Sequence, residues 1–364
     1  MRVLLILCLH LTLLTAFSQH APQTENIILI TLDGLRWQEM YTGADSMLIS
    51  DKDYVKDTVK LNQLFWRSDL TQRREVLVPF FWNTIAQKGQ LYGYRELGNK
   101  VNCSNQHWFS YPGYSEILCG FADDQRISSN DKINNPNTTV LEFINQKEQF
   151  NGSVAAFGSW DVFPYIINER RSKIPVNAGF DVNPGDHLSD REKFLDIVQS
   201  QIPSPWAGVR LDAFTHHYAI EYIKRKHPRV TYIAYGETDD FAHDGHYDAY
   251  LKSAHQTDKF IAELWHYLQS DPFYRDKTTL IITTDHGRGT VPKDSWRSHG
   301  TQVEGADQIW IAIMGPDTPA TGIINSKKQY YQNQVAATLA KFLGLEYSND
   351  TEVGKVIQEA FKQP

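Results

Sequence analysis

Long hydrophobic runs are scarce in this 364-residue sequence, and so are cysteine and excess basic charge. The one extended apolar run, Val3 to Phe17, follows Arg2 and is too short for a comfortable membrane span. The polar stretch SQHAPQTEN comes next, without a stop-transfer pattern. We therefore predict a secretory signal peptide at residues 1–18, a mature protein without a stable membrane anchor, and a secreted or periplasmic location.

Cysteine occurs three times. Cys8 lies inside the predicted signal peptide and before most of its apolar run, which excludes a lipoprotein signal. Cys103 and Cys119 would remain in an oxidising compartment. Their spacing alone does not bring two Cα atoms within disulfide reach, so a disulfide and two separately buried thiols stay open as alternatives.

Basic residues are outnumbered, with 36 Lys and Arg against 43 Asp and Glu and a net charge of −7. An acidic exterior argues against nucleic-acid binding. The sequence also lacks internal repeats, low-complexity tracts and linkers rich in Pro, Gly or Ser. With 41% hydrophobic residues it is typical of a folded globular protein, and we predict one catalytic domain over residues 19–364.

Four apolar segments end in polar groups. They are NIILITLDG (26–34), VAAFGSWD (154–161), VTYIAYGETDD (230–240) and TLIITTDHG (279–287). Continuous apolar runs are typical of strands covered on both faces, and helical patterns such as residues 247–269 lie between them. The pattern predicts an α/β fold, a three-layer α/β/α sandwich around a mostly parallel sheet. Residues 37–102, polar and aromatic, are predicted as a small cap or as long loops.

Three aspartates follow these predicted strands at the point where each strand ends: Asp33, Asp239 and Asp285. Ligands of such sheets bind beyond the carboxyl ends of the strands. We therefore expect the three carboxylates to converge on one edge of the sheet.

Histidines accompany two of these aspartates. Asp239 and His243 are four residues apart, so one helical turn aims both at one point, and carboxylate with imidazole suits Zn²⁺ or a similar ion. His286 follows Asp285 directly, and His299 stands before a glycine in SWRSHGTQ. With Asp33 these side chains offer six ligands, enough for two ions at three each. The alternative is a set of chance matches in strand-ending turns and surface loops.

A candidate nucleophile lies in HWFSYPGYSEILCG (107–120). Ser110 stands before Pro112 and Gly113, which suit a tight turn, and the following residues predict a helix. A hydroxyl at a helix N-terminus gains from the positive end of the dipole, and a bound cation lowers its pKa further. The alternative is that Ser110 or Ser115 is an ordinary helix N-cap.

The whole set resembles the alkaline phosphatase superfamily, most closely its nucleotide pyrophosphatase/phosphodiesterase-like branch, over residues 24–345. The resemblance implies two divalent metal ions, with Zn²⁺ expected and Mn²⁺ or a mixed pair as alternatives. One ion would be held by Asp33, Ser110, Asp285 and His286. The other would be held by Asp239, His243 and His299.

The resemblance also implies a function. We expect a secreted two-metal phosphoester hydrolase of the phosphodiesterase/nucleotide pyrophosphatase type, acting on a small-molecule phosphoester through a phosphoserine intermediate on Ser110. Many relatives hold a phosphoryl oxygen with an Asn some twenty residues after the nucleophile, and Asn130 is the loose match here.

Several alternatives stay open. Relatives specialised for monoesters place Lys and Arg where this chain reads SWDVF, which argues against a dedicated phosphomonoesterase. A sulfatase needs Arg four residues after the nucleophile, where this chain has Tyr114. A phosphotransferase or mutase would use the same site with another acceptor. A non-catalytic secreted protein stabilised by ions is the fourth alternative, although three imidazoles do not suit a structural Ca²⁺ site.

Overall fold

The computed structural model of the chain describes residues 23–183 and 187–363. The predicted signal peptide at residues 1–18 lies outside the described residues. Within those two stretches, no helix combines the length and the apolar character that crossing a membrane requires.

Eleven strands form over the described residues. They are β1 Asn26–Leu32, β2 Gln90–Tyr92, β3 Lys100–Asn102, β4 Val154–Gly158, β5 Val176–Ala178, β6 Val230–Tyr235, β7 Thr278–Thr283, β8 Gln308–Ile309, β9 Ile311–Met314, β10 Gly322–Ile323 and β11 Gln329–Tyr331.

Thirteen α-helices lie between or beside these strands in the same part of the chain. They are α1 Trp37–Thr42, α2 Thr58–Phe65, α3 Leu70–Leu77, α4 Ala86–Lys88, α5 Ser110–Cys119, α6 Val140–Asn145, α7 Phe163–Ile166, α8 Glu169–Ser172, α9 Asp190–Gln201, α10 Asp212–Lys226, α11 Glu237–His243, α12 Tyr247–Ser270 and α13 Gln334–Phe342. A π-helical turn, Phe81–Ile85, leads into α4.

The main sheet has eight strands in the order β10-β2-β9-β7-β1-β6-β4-β5. Every neighbouring pair is parallel except those that β9 makes with β7 and β2, so β9 alone runs against the other seven. A small second sheet has the order β11-β3-β8. The four apolar runs form the centre of the main sheet, and the prediction of a mostly parallel sheet is confirmed.

Alternate residues of β1 face opposite sides of the sheet, because successive side chains of a strand point in opposite directions. Ile28 and Ile30 belong to the hydrophobic core shared with α10 and α12, whereas Ile27 and Leu29 belong to the core shared with α5 and α13. Helices therefore cover both faces, as the predicted three-layer sandwich requires.

Residues 37–102 do not form long loops. They contribute α1 to α4 to one face of the main sheet, and β2 joins the sheet itself. Side chains of this stretch, such as Met40, Phe81 and Leu91, lie in the same hydrophobic core as β1. The two cysteines, Cys103 and Cys119, are buried free thiols, so the disulfide alternative does not hold in this structure.

Candidate active site

The central strand β1 lies between β6 and β7, and Leu32 at its end is in register with Tyr235 at the end of β6. Asp33 follows β1 directly, Asp285 follows β7 within two residues, and Asp239 lies in the first turn of α11 after β6. The three carboxylates lie together at the carboxyl edge of the sheet, as the sequence predicts.

A first group of ligand atoms belongs to Asp33, Asp285 and His286, and each residue offers one atom within 4.8 Å of the others. The Nε2 atom of His286 lies 3.2 Å from Oδ1 of Asp33 and 3.4 Å from Oδ2 of Asp285. All three side chains are almost fully buried. Two ligands about 2.1 Å from a tetrahedral ion stand about 3.4 Å apart, so these spacings suit a metal ion.

The Nδ1 atom of His286 is engaged by the backbone, and its Nε2 atom faces the site, 3.5 Å from Oγ of Ser110. Its Nδ1 atom lies 2.9 Å from the carbonyl oxygen of Gly287, to which it donates its proton. Such an outer partner fixes the tautomer of a metal-binding imidazole. Among the described residues, Oδ1 of Asp33 and Oδ2 of Asp285 have no hydrogen-bond donor. Three lone pairs thus face one another, and this donor set fits a divalent cation.

Electrostatics at this group also favour a cation. Burial raises the pKa of Asp33 well above its ordinary value, and the negative charge of Asp239 adds to that effect. Burial likewise raises the pKa of Asp285, with Asp33 as the next cause. Both shifts reflect the cost of gathering carboxylates away from water, and a bound cation offsets that cost.

A second group consists of Asp239, His243 and His299. Nε2 of His243 lies 3.2 Å from Oδ2 of Asp239 and 2.9 Å from Nε2 of His299. Asp239 and His243 occupy one face of α11 four residues apart, as predicted. Nδ1 of His299 lies 3.2 Å from the carbonyl oxygen of Trp108, so its Nε2 atom points at the group.

The carbonyl that orients His299 belongs to a residue with an uncommon backbone. Trp108 has φ 52°, a left-handed conformation that costs a non-glycine residue energy. The side-chain oxygen of Asn105 accepts the backbone N–H of Trp108 at 2.9 Å and that of His107 at 3.1 Å, which holds this turn. The strained residue therefore positions a predicted metal ligand.

Arg288 is a site residue that the sequence reasoning missed. Its guanidinium contacts the carboxylate of Asp239, and it donates to the Asp239 carbonyl oxygen at 3.1 Å. Burial acts to raise the pKa of Asp239, but the positive charge of Arg288 holds that pKa well below its ordinary range. The sequence feature that could have indicated a role for Arg288 is its position directly after the TDHG motif.

The two groups adjoin each other through a pair of imidazoles. The rings of His286 and His299 are stacked, with centroids 3.9 Å apart and planes 28° apart. One ligand atom each from Asp239, His286 and His299 also lies within 4.8 Å of the others. His286 therefore borders both groups.

Ser110 is the first residue of α5, and its Oγ atom lies 3.5 Å from Nε2 of His286. The N-cap position belongs to Phe109, whose backbone is extended, so Ser110 is not the capping residue. Pro112 and Gly113 lie within the helix rather than in a turn before it. Proline is tolerated in the first helical turn, where its missing N–H has no partner to lose.

Two residues of α5 pack the helix closely against the site. A Cβ atom at Gly113 would overlap the carbonyl oxygen of Asp285, so only glycine lets the helix approach so closely. The phenolic hydroxyl of Tyr114 donates to Oδ2 of Asp33 at 2.8 Å. Tyr114 therefore supports a predicted ligand, a role that its position in the sequence did not indicate.

Asn130 lies beside the predicted nucleophile. Its side-chain oxygen accepts the backbone N–H of Tyr111 at 3.0 Å, which leaves its NH₂ group to donate elsewhere. Asn130 itself is exposed. The structure thus brings together Ser110, Asn130 and the six other predicted residues, Asp33, Asp239, His243, Asp285, His286 and His299.

The fold is that of the alkaline phosphatase superfamily. The chain is similar to wild-type alkaline phosphatase PafA, with a TM-score of 0.60 and 9% identity over 94% of this chain and 99% of that one. It is also similar to the phosphonate monoester hydrolase SpPMH from Silicibacter pomeroyi, with a TM-score of 0.54 and 13% identity over 92% of this chain and 76% of that one. A third similar structure is the lipoteichoic acid synthase LtaP from Listeria monocytogenes, with a TM-score of 0.56 and 9% identity over 90% of this chain and 74% of that one.

The sequence itself identifies the family. Residues 50–358 match the type I phosphodiesterase/nucleotide pyrophosphatase family, and the chain belongs to it. No curated protein sequence matches the chain significantly. Membership points to a hydrolase of the phosphoryl or sulfuryl transfer type with a small-molecule substrate, and the ligand groups at the sheet edge suit the divalent ions that such enzymes use.

Proposed function

We propose that this protein is an exported two-metal phosphodiesterase of the nucleotide pyrophosphatase type, with Ser110 as its nucleophile. One observation carries the proposal. Oγ of Ser110 lies 3.5 Å from Nε2 of His286, in a site where buried oxygens of Asp33 and Asp285 lack donors among the described residues. A hydroxyl placed among cation ligands is what phosphoryl transfer through a phosphoserine needs.

The side chains divide into two sets of ligands. Asp33, Asp285 and His286, together with Ser110, would hold one divalent ion. The other would be held by Asp239, His243 and His299. Bound there, the ions would lower the pKa of the serine hydroxyl and of water and offset charge on the phosphoryl oxygens. Zn²⁺ is the metal that this mixture of carboxylate and imidazole suits best.

The reaction itself takes place at the oxygen of Ser110. In its deprotonated form this oxygen attacks phosphorus, the new O–P bond forms, and the bond to the leaving alcohol breaks on the opposite side. The leaving oxygen takes up a proton. Water then attacks the phosphoserine, releases the phosphoryl group and returns the oxygen to Ser110.

Asn130 would hold the phosphoryl group during both steps. Since its carbonyl oxygen is engaged by the Tyr111 N–H at 3.0 Å, its NH₂ group is oriented to donate to a phosphoryl oxygen beside Ser110. We expect Asn130→Ala to lower kcat/KM by about 10²-fold, because one donor to a developing oxyanion is worth roughly that factor.

Variants of Ser110 test the proposal. Ser110→Ala should abolish turnover of an aryl phosphodiester and leave the metal content largely intact, because three other ligands remain, while Ser110→Thr keeps the hydroxyl and part of the activity. A brief incubation with the diester followed by acid quench should show, by mass spectrometry, one added phosphoryl group that still carries the retained alcohol of the diester on wild-type protein, and none on Ser110→Ala. Near-native activity of Ser110→Ala would exclude Ser110 as the nucleophile.

A phosphomonoesterase is the second candidate, and one contact favours it. Nζ of Lys132 lies 2.6 Å from Oδ2 of Asp161, in the SWDVF stretch where monoesterase relatives place basic residues. Lys132 therefore places a cationic group in that region from another part of the chain, where it is paired with Asp161. Phosphate release from paired aryl monoesters and diesters decides between the two, and Lys132→Ala should lower monoester turnover selectively if the charge serves this purpose.

The remaining alternatives give other outcomes in the same assay. A sulfatase would release product from an aryl sulfate, which the buried Tyr114 at the expected Arg position argues against. A phosphotransferase or mutase would deliver the phosphoryl group to an added alcohol rather than to water. A non-catalytic protein would bind metal, release no product and leave Ser110 unmodified.

Export is supported by the sequence alone. A signal peptide at residues 1–18 should be removed when the full-length chain is expressed in cells with a secretion pathway. N-terminal sequencing of the mature protein checks this, and a product that begins at the initiating Met would contradict it.

A further inference from the structure

A third group of metal-ligating side chains lies apart from the residues described above. His216 and His217 come from α10 and Glu263 comes from α12. Each offers one ligand atom, and the three atoms lie within 4.8 Å of one another. None of these residues belongs to either ligand group at the sheet edge.

The ring of His216 is fixed in position by its neighbours, as the ring of a metal-binding histidine usually is. Its side chain is fully buried, and its ring is stacked on Phe260 with centroids 4.4 Å apart and planes 14° apart. Its Nδ1 atom lies 3.0 Å from the hydroxyl of Tyr235. If Nδ1–H donates to that hydroxyl, the lone pair lies on Nε2, the arrangement that outer partners impose on ligating imidazoles.

The other nitrogen of His216 points into the group. Its Nε2 atom is buried and has no hydrogen-bond partner among the described residues. It lies 3.5 Å from Oε2 of Glu263, close to the about 3.4 Å that separates two ligands of a tetrahedral zinc ion. A buried, unpaired ring nitrogen beside a carboxylate is costly unless something lies between them.

The two remaining residues complete the donor set. Burial lowers the pKa of His217, and its neighbour His216 adds to that effect. Nδ1 of His217 is also buried and unpaired within the described chain. Glu263 has a lowered pKa because of His216, and with 51% of its side chain exposed it leaves the group open to solvent.

Another carboxylate that acts on His217, Glu221 of α10, has partners of its own. It is engaged by Arg191 at 2.9 Å and by Lys224 at 3.0 Å. The ligand atoms of this group therefore come from two imidazoles and one carboxylate. Such a set is selective for zinc-like ions, because Ca²⁺ and Mg²⁺ prefer shells made of oxygen.

We propose that His216, His217 and Glu263 form a separate zinc-binding site that links α10 to α12 and keeps one coordination position open to water. The site stabilises the fold and takes no part in the chemistry at Ser110.

Zinc titration of the metal-free full-length protein tests this site. His217→Gln and Glu263→Gln should each bind one zinc ion fewer than wild type at moderate zinc concentration, as counted by calorimetry and by metal analysis. Loss of a direct ligand should weaken the affinity by at least the about 10- to 100-fold that loss of an outer partner costs. Phosphoester turnover should be unchanged in both.

His266→Gln is the matched control, since His266 is an exposed histidine on the same helix. It should bind as many zinc ions as wild type. Equal zinc counts in wild type, His217→Gln and Glu263→Gln would overturn the proposal and leave a plain His216–Glu263 ion pair. The test compares differences in count, so it stays decisive whatever number of ions the site at Ser110 holds.

Discussion

Gly113 is a residue whose lack of a side chain shapes the site. A methyl group there would overlap the carbonyl oxygen of Asp285, so Gly113→Ala should push α5 away from β7. We expect a loss of about 1–3 kcal/mol in the free energy of unfolding, as for other overpacked sites, and a larger proportional loss of kcat because Ser110 moves. Chemical denaturation and steady-state kinetics measure the two effects.

Gly152→Ala is the control for this change. Gly152 has a positive φ, 71°, unlike the helical Gly113, and a Cβ atom there has no neighbour within 4 Å. It should cost only the backbone strain of about 1 kcal/mol and leave kcat unchanged. Full activity in Gly113→Ala would show that the close approach of α5 is not required for the reaction.

The titration of a single residue, Asp258, should make the free energy of unfolding depend on pH. Its carboxylate accepts the backbone N–H groups of Phe80 and Phe81 at 2.8 and 2.9 Å, and burial raises its pKa to about 7. The folded state thus binds more protons than the unfolded state between about pH 4 and pH 7. Stability contributed by this group is therefore highest in acid and falls as pH rises through that window, by at most about 4 kcal/mol.

The comparison of wild type with Asp258→Asn isolates that effect. The variant should be less stable in general, because asparagine has one acceptor where two N–H groups need partners, yet its stability should fall less between about pH 5 and about pH 8. Urea unfolding at both pH values measures the difference. An identical pH slope in both proteins would show that Asp258 does not titrate in this range.

Single residues were predicted well where their chemistry is distinctive. Asp33, Asp239 and Asp285 were expected at one edge of the sheet because each follows an apolar strand, and ligands of such sheets bind beyond the carboxyl ends of the strands. Tyr114 and Arg288 were missed, because a buried tyrosine or arginine looks the same in sequence whether it packs in the core or supports a ligand. Their roles depend on distances that only the fold provides.

At the scale of elements, α11 depends on a carboxylate from another helix. Asp212 of α10 accepts the backbone N–H of Gly236 at 2.8 Å and that of Glu237 at 3.2 Å, and Glu237 accepts the N–H of Asp212 at 2.9 Å. This reciprocal pair acts as a cap for a helix that has no side-chain cap of its own. It therefore positions the helix that carries Asp239 and His243.

Asp212→Ala should test this positioning role. We expect a loss of about 1–2 kcal/mol in stability, as for other lost caps, and weaker metal binding at Asp239 and His243. The fall in kcat should be reversed in part by excess Zn²⁺, which a merely unstable protein would not show. Asp212→Asn keeps one acceptor oxygen and should restore most activity, and equal defects in both variants would contradict the positioning role.

The long elements were predictable, and the short ones were not. The central strands β1, β6 and β7 have apolar runs of six or seven residues, and α12 has clear helical periodicity. Strands β8 and β10 have two residues each, too few to show a period. The antiparallel direction of β9 also has no local signal, because pairing is decided by residues distant in sequence.

At the scale of the whole molecule, the carboxylates of Asp33, Asp239 and Asp285 should make the fold depend on cations. Removal of metal with a chelator should lower Tm, because the buried carboxylates of Asp33 and Asp285 then repel each other without a compensating cation. Differential scanning calorimetry measures the shift, and added Zn²⁺ should reverse it. The same treatment of Glu263→Gln separates the contribution of the site between α10 and α12, and an unchanged Tm in both proteins would contradict the prediction.

The position of His286 between the two ligand groups should determine the order in which metal ions fill the two groups. Its single Nε2 lone pair can serve one ion at a time, and it lies closer to Asp33 and Asp285 than to Asp239, at 3.2 and 3.4 Å against 3.7 Å. The first ion to arrive should therefore take the imidazole at the β1–β7 edge. The second must then rely on His243 and His299, so occupancy should be sequential, with a tight early phase and a weaker late phase in any binding isotherm.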